Sequence, residues 1–321
     1  MTQYNSPKPR YNAEVNRIRS AYQAGAQKVL RELDRLDVSN MSRQQSVAAL
    51  ANITRTLKKL DAEGRKWADE NIPLAAQQGI ERAIITLGEA KSIDEARKLA
   101  SFNRPNENMV AAAISDTQQS LLAVTQNINR KTRTAIRSVT AESMRENMAA
   151  GINGRKGIRS DILSKLRLEL GDSLNTGIID AGGRRWSPTH YVDMATRTKL
   201  FDAYDEANRN EGIMRGALYA VISSHGAIDA CRFHEGSIVK LTADAPGPYP
   251  TIDELKASGQ IFHPNCRHSY SVIRDPMLLP EDIRRHALEQ DSIAKQALAT
   301  GQRNPNIDDD LFNADSGLIF M

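Results

Sequence analysis

The chain has 321 residues, 40% hydrophobic and 26% charged, with a net charge of +4, the profile of a globular protein of about two domains and not of a disordered or fibrous one. Aromatic residues are only 5%, which favours long helices over a large aromatic β core. No apolar run approaches the roughly 18 residues of a membrane span, and the N-terminal MTQYNSPKPRYN lacks the apolar core of a secretory signal.

Residues 1–10 read as a flexible arm, followed by a helical interaction domain over 11–151. Val15, Ile18, Tyr22, Val29, Leu30, Leu33 and Leu36 keep helical spacing from Tyr11 to about Asp37. Ser39 and Asn40 mark a break. Ser42 with Gln45 then resembles a capping box opening a second helix that carries Val47, Leu50, Ile53, Leu57 and Leu60. A third helix is expected from about Asp69, with Pro73 admitted only in its first turn. Ser92 and Glu95 cap a short helix ending around Phe102. After Asn103-Arg104-Pro105 the longest helical stretch runs from Asn108 to Ala150. Ile114, Leu121 and Ile128 fall seven apart there with Val124 between, a bundle seam. Gly151, Gly154 and Gly157 stop it.

A compact α+β module is expected over 152–275. Arg159–Leu170 reads as a short helix and Ile178-Ile179 as a short strand. Ser187 and Pro188 are the N-cap and first position of a helix reaching Asn208. Ala217–Ser223, Ser237–Leu241 and Ser269–Ile273 read as three strands of a small sheet. Thr251 with Glu254 caps a short helix that Gly259 ends. Residues 276–321 read as a C-terminal helix, Asp282 to Ala299, and an acidic then apolar tail that frays or docks on a partner. The fold class is therefore α+β, a mostly helical first half followed by a small sheet with a Cys/His cluster.

Both cysteines and four of the six histidines lie between His225 and Tyr270. Cys231 and His234 are three apart, as are His263 and Cys266, so each pair can chelate one ion from a single turn. Two such pairs make a tetrahedral site, for which zinc is the natural ion in a structural role. His225 and His268 are spare candidates. The same residues also suit a second reading, in which the cysteines are small core residues and the histidines satisfy buried backbone groups. A third reading makes the cluster catalytic, but no complete catalytic set is visible: there is no H-E-x-x-H, phosphate loop, G-x-S-x-G or dinucleotide fingerprint. Free thiols fit a reducing compartment, so synthesis in a cytoplasm is expected.

The order RRWSPTHYVDMATRT, ALYAVISSHGA, a Cys/His step to Gly236, and FHPNCRHSY resembles the tailed-phage minor capsid (minor head) proteins. It is most similar to the minor capsid protein 2 type, related to the Mu F-like head proteins. Tyr191-x-x-Met194-x-x-Arg197-Thr198 and HPNCRH carry the resemblance most specifically. The sequence departs from that pattern at Ile228, where a cysteine is usual, and at His234, where an aromatic is usual. The resemblance implies a non-enzymatic, low-copy component of the phage head, made in the host cytoplasm. Its expected partners are the portal or major capsid protein, in an oligomer or low-copy assembly, with weak contact with packaged DNA and no membrane. Head assembly, genome packaging or ejection is the implied role. The runner-up is a metal-dependent nucleic-acid-processing enzyme or injected effector using the Cys/His cluster.

Overall fold

The computed structural model describes residues 9–35, 43–150, 178–179 and 183–307. Among these are seven α-helices: α1 (Asn12–Asp34), α2 (Arg43–Thr86), α3 (Ile93–Leu99), α4 (Arg104–Ala150), α5 (Pro188–Met214), α6 (Ile252–Ser258) and α7 (Glu281–Ala299). The strands are β1 (Ile178–Ile179), β2 (Arg185–Trp186), β3 (Tyr219–Ile222), β4 (Ile238–Lys240) and β5 (Tyr270–Ile273). The chain folds as two compact units that interleave in sequence. One comprises 1–10, 71–113 and 197–321, the other 11–70 and 114–196.

The unit of 11–70 and 114–196 is a helical bundle. Trp67 Nε1 donates to the Glu14 carbonyl and Arg17 pairs with Glu70, while Gly25 lies under Leu60. Residue numbers thus rise along α1 as they fall along α2, so the two run antiparallel. Gln118 reaches Asp69 and Thr125 bonds Asp61, which sets α4 antiparallel to α2 as well. The faces that meet are the ones helical periodicity marks: Val15, Ile18, Tyr22, Ile53, Leu57, Leu121, Val124 and Ile128 are all buried. Tyr22 donates its hydroxyl to the Leu121 carbonyl at 3.2 Å, so this aromatic satisfies its polar end inside the bundle. Within the same unit β1 pairs antiparallel with β2.

The other unit is built on a three-stranded antiparallel sheet of order β4-β3-β5. The register places Tyr219 opposite Lys240 and Ile273, and Ile222 opposite Tyr270. One core gathers Ala220, Ile222, Val239, Leu255, Tyr270 and Val272 with Cys231. Asn208 of α5 donates to the Tyr270 carbonyl, and the Tyr270 hydroxyl donates to that of Asp205, which locks α5 across β5. Gln290 of α7 donates to the carbonyls of Arg232 and Phe233 and so closes the unit over the segment between β3 and β4.

Several sequence expectations need correction. Asp69 does not open a new helix: α2 runs on, with Pro73 in its interior. Its missing N–H and ring clash cost local stability, but Ile72, Ala75 and Ala76 are fully buried around it, so packing holds the helix through the proline. The break before the long helix is its beginning: Asn103 caps α4 by accepting from Asn106 N at 2.9 Å, and Pro105 sits in the first turn, where no donor is needed. Helix α3 stops at Leu99, short of Phe102, and α5 continues past Asn208 to Met214. The three expected caps that fall within the described residues are as read: Glu95 N donates to the Ser92 hydroxyl at the start of α3. His190 N donates to the Ser187 hydroxyl, and Thr251 and Glu254 form a reciprocal capping box before Gly259. The expected box at Ser42, the glycines at 151, 154 and 157, and the helix over 159–170 lie outside the described residues.

Candidate metal centre

Two chain segments build the centre, both within the sheet-containing unit. After β3 the chain makes a short 3-10 turn, Ala230–His234, whose N-cap is Asp229. Asp229 accepts from Cys231 N at 3.2 Å, which fixes where the Cys231 thiol points. Just before β5 comes His263-Pro264-Asn265-Cys266. Cys266 N donates to the His263 carbonyl at 2.8 Å, and Asn265 has φ 66°. Proline second and a left-handed asparagine third are what a type II turn demands. Phe262 is also left-handed, at φ 56°, and Asn265 N donates to the Thr198 hydroxyl of α5, so the turn is held at both ends. A bulky residue in that region carries strain, which here brings His263 and Cys266 to one side.

The two thiols lie 3.8 Å apart, far beyond a disulfide bond of about 2.05 Å. His263 Nε2 is 3.2 Å from Cys231 Sγ, and His268 Nδ1 is 3.3 Å from Cys266 Sγ. Each imidazole has its other nitrogen engaged. His263 Nδ1 donates to the Pro264 carbonyl at 3.0 Å, and His268 Nε2 donates to Glu235 Oε1 at 2.9 Å. The atoms left facing sulfur are therefore Nε2 of His263 and Nδ1 of His268. Asp229 Oδ2 stands 3.4 Å from His263 Nε2. Electron-rich atoms of Asp229, Cys231 and His263 thus converge and call for a proton or a cation among them.

Glu235 is the hub behind the histidine. Its carboxylate accepts from the amides of His225, Gly226 and Ala227, from the Ser224 hydroxyl and from His268. Burial opposes its charge, but His268 and the amides outweigh burial and pull its pKa down to about 2. Gly236, at φ 79°, makes the reversal that turns Glu235 inward, and a side chain there would strike the His286 ring. Burial also opposes charge on His268, yet bonds to Cys266 and Glu235 raise its pKa to about 9. Within the thiol pair, Cys266 is the one that ionises first, because Cys231 and then His268 donate to it. The bond Cys231 donates to it, and then burial, push Cys231 up.

Of the expected ligand set, the structure brings together Cys231, His263 and Cys266, and His268 joins them from the spare candidates. It does not bring in His234. That residue is fully buried and faces away from the thiols, with Nε2 donating to Gln260 Oε1 at 2.7 Å. In a 3-10 turn side chains three apart eclipse, but Cys231 packs toward the sheet core while His234 is held by the Gln260 loop. The other spare, His225, stacks on the His268 ring at 4.2 Å and serves Glu235 through its backbone. Sequence reasoning missed Glu235 and Asp229 as orienting groups. The signal for the HPNC turn was present in its Pro-Asn pair.

Chemically, Cys231, Cys266 and His268 place three ligand atoms within 4.8 Å of one another, and Asp229, Cys231 and His263 form a second such group. Two thiolates on one zinc stand about 3.8 Å apart, from Zn–S bonds of about 2.3 Å at the tetrahedral angle, which is the separation found. The order Cys266, His268, Glu235 also matches nucleophile, base and orienting acid. The cleft in front of it, lined by Thr198, Asp202, Asp205 and Lys256 among others, has a volume of about 10 Å³, room for about one water.

Fold and centre together describe a mostly helical α+β protein in which a Cys/His cluster belongs to the core of a small-sheet unit. A family model, Phage minor capsid protein 2, matches residues 43–304, and the chain belongs to that family. It is a structural protein of the phage head. No curated protein and no solved structure matches it.

Proposed function

We propose that the chain is a low-copy component of the head interior that meets the portal or major capsid protein through its helices. In this reading it acts in assembly, packaging or ejection of the genome it touches, without enzymatic activity. Its sheet-containing unit is held by a structural zinc. Cys231, Cys266 and His268 would hold the ion, with His263 as fourth donor and Glu235 and Asp229 as orienting carboxylates. The observation that carries the zinc is the pair of thiols, one buried and one partly buried, at a tetrahedral edge's separation with an oriented imidazole beside them. Bound zinc would add a further tie between segments already joined by the sheet and by the His268–Glu235 bond, adding folding free energy.

Two measurements test this. Quantitative mass spectrometry of purified particles should find the chain at a low, reproducible copy number per portal ring, and its absence would refute the head-interior reading. Metal analysis of the full chain should return one zinc per chain. His268→Ala should lose it and His234→Ala should keep it; the reverse result would place the ligands elsewhere.

A further inference from the structure

The helical unit carries a surface that the Cys/His chemistry does not explain. Residues 43–60 of α2 and 117–141 of α4 contain eight lysines and arginines and no aspartate or glutamate. The two helices lie antiparallel, so these stretches face one another. Between them runs a groove of about 500 Å³ lined by Val47, Leu50, Arg55, Lys58 and Arg133. It adjoins, through Arg133, a second hollow of about 410 Å³ lined by Arg130, Arg133 and Arg137.

Among the described residues, no carboxylate pairs with the guanidinium groups of Arg55, Arg130 or Arg133. Arg55 donates to the Asn52 side chain, Arg130 to Asn127 and Arg133 to Asn129. The carboxylate nearest by bonding, Glu32, accepts from Arg35 and from Asn52. Lys131 is held below its usual pKa by burial first and then by the charges of Arg130 and Arg185.

We propose that this face of α2 and α4 binds the phosphodiester backbone of duplex nucleic acid without reading its sequence. It deepens the reading of the chain as a component in contact with the packaged genome and rests on that reading for the identity of the polyanion. Arg130, Arg133 and Arg137 recur at i, i+3 and i+7 on one side of α4, a row of about 10 Å. Four successive phosphates of one strand, three steps of about 3.4 Å, span about as far along a duplex. Neutral hydrogen-bonding side chains, Gln126, Asn129 and Thr134, stand among the cations, as phosphate contacts use. Neither stretch contains an aromatic residue, so the face offers no stacking platform for single-stranded bases.

The test uses the full-length chain and a labelled duplex of arbitrary sequence, with affinity measured between about 50 and 200 mM salt. Five phosphate contacts, from Arg55, Lys58, Arg130, Arg133 and Arg137, give a logarithmic slope of about −4.5, or an affinity loss of about 500-fold over that range. The double variant Arg133→Gln, Arg137→Gln should lower the slope to about −2.7 and the loss to about 40-fold. All replaced side chains are exposed on a helix, so helical content measured alongside should not change. Binding with an unaltered slope in the variant would overturn the site. Binding of polyglutamate but not duplex, abolished by the variant, would overturn it in favour of an acidic protein. Either failure, with the chain still present in purified particles, would leave the head-interior reading standing.

Discussion

Glu235 offers the sharpest check on how the centre is held. Glu235→Ala removes a carboxylate that is 11% exposed at its side chain and accepts from three amides, a hydroxyl and His268. Removing one member of a buried charged pair costs about 3–5 kcal/mol, because its partner is left without a counter-charge. Amides at 225–227 on the more exposed edge regain water, so the loss should lie at the lower end of that range. A cost of about 3 kcal/mol lowers the melting temperature by roughly 10 °C in a domain of this size. Glu235→Gln keeps the shape but must turn one NH2 against existing donors, and should lose about half as much. Zinc affinity, measured by competition with a chromophoric chelator, should fall about 10–100-fold in Glu235→Ala, since His268 loses the partner that fixes its tautomer. An Ala variant that melts with the parent and binds zinc equally well would refute the role assigned to Glu235.

Other perturbations read the two units separately. Gly79→Ala would usually stabilise a helix, but here its Cβ would fall 2.1 Å from the Tyr204 carbonyl oxygen. The denaturation midpoint should therefore drop by the equivalent of about 3 kcal/mol. Burial, outweighing the bond from Ser269 that favours the charged form, lifts the Asp205 carboxyl well above 3.8. A raised acid pKa contributes stability below the unfolded value that is lost as pH rises through the folded one. Asp205→Asn should accordingly melt above the parent at about pH 8 and show no such gain below pH 3.8. Tyr22→Phe should cost about 0.5–1.5 kcal/mol through the lost bond to Leu121. It should also make the bundle less sensitive to alkali, because burial raises the Tyr22 pKa and penalises ionisation as pH climbs past 10.0.

Much of the fold was legible because its signals are local. Apolar spacing at Val15, Ile18 and Tyr22 or at Leu121, Val124 and Ile128 names a buried helical face whatever lies opposite. Ser187 and Thr251 cap their helices through atoms only three residues away. The three strands needed only their runs of β-branched and aromatic residues. The crowding of both cysteines with four histidines likewise marked the stretch in which thiols and imidazoles come together.

Tertiary structure decided whatever depends on residues far apart. Pro73 stays inside α2 because its neighbours are buried, a cost and a compensation that a local rule weighs only on the cost side. Cys231 and His234 share one short turn, yet one thiol joins the sheet core and one imidazole joins Gln260. Spacing gives the reach of a pair of ligands but not the direction of either, which the packing of β3, β5 and α7 around them sets. His268 replaces His234 because β5 hydrogen-bonds to β3 and so carries it to Glu235, 33 residues away in sequence. The cationic face has the same origin: its charges are written in two stretches of sequence, and only the antiparallel packing of α2 on α4 makes them one surface.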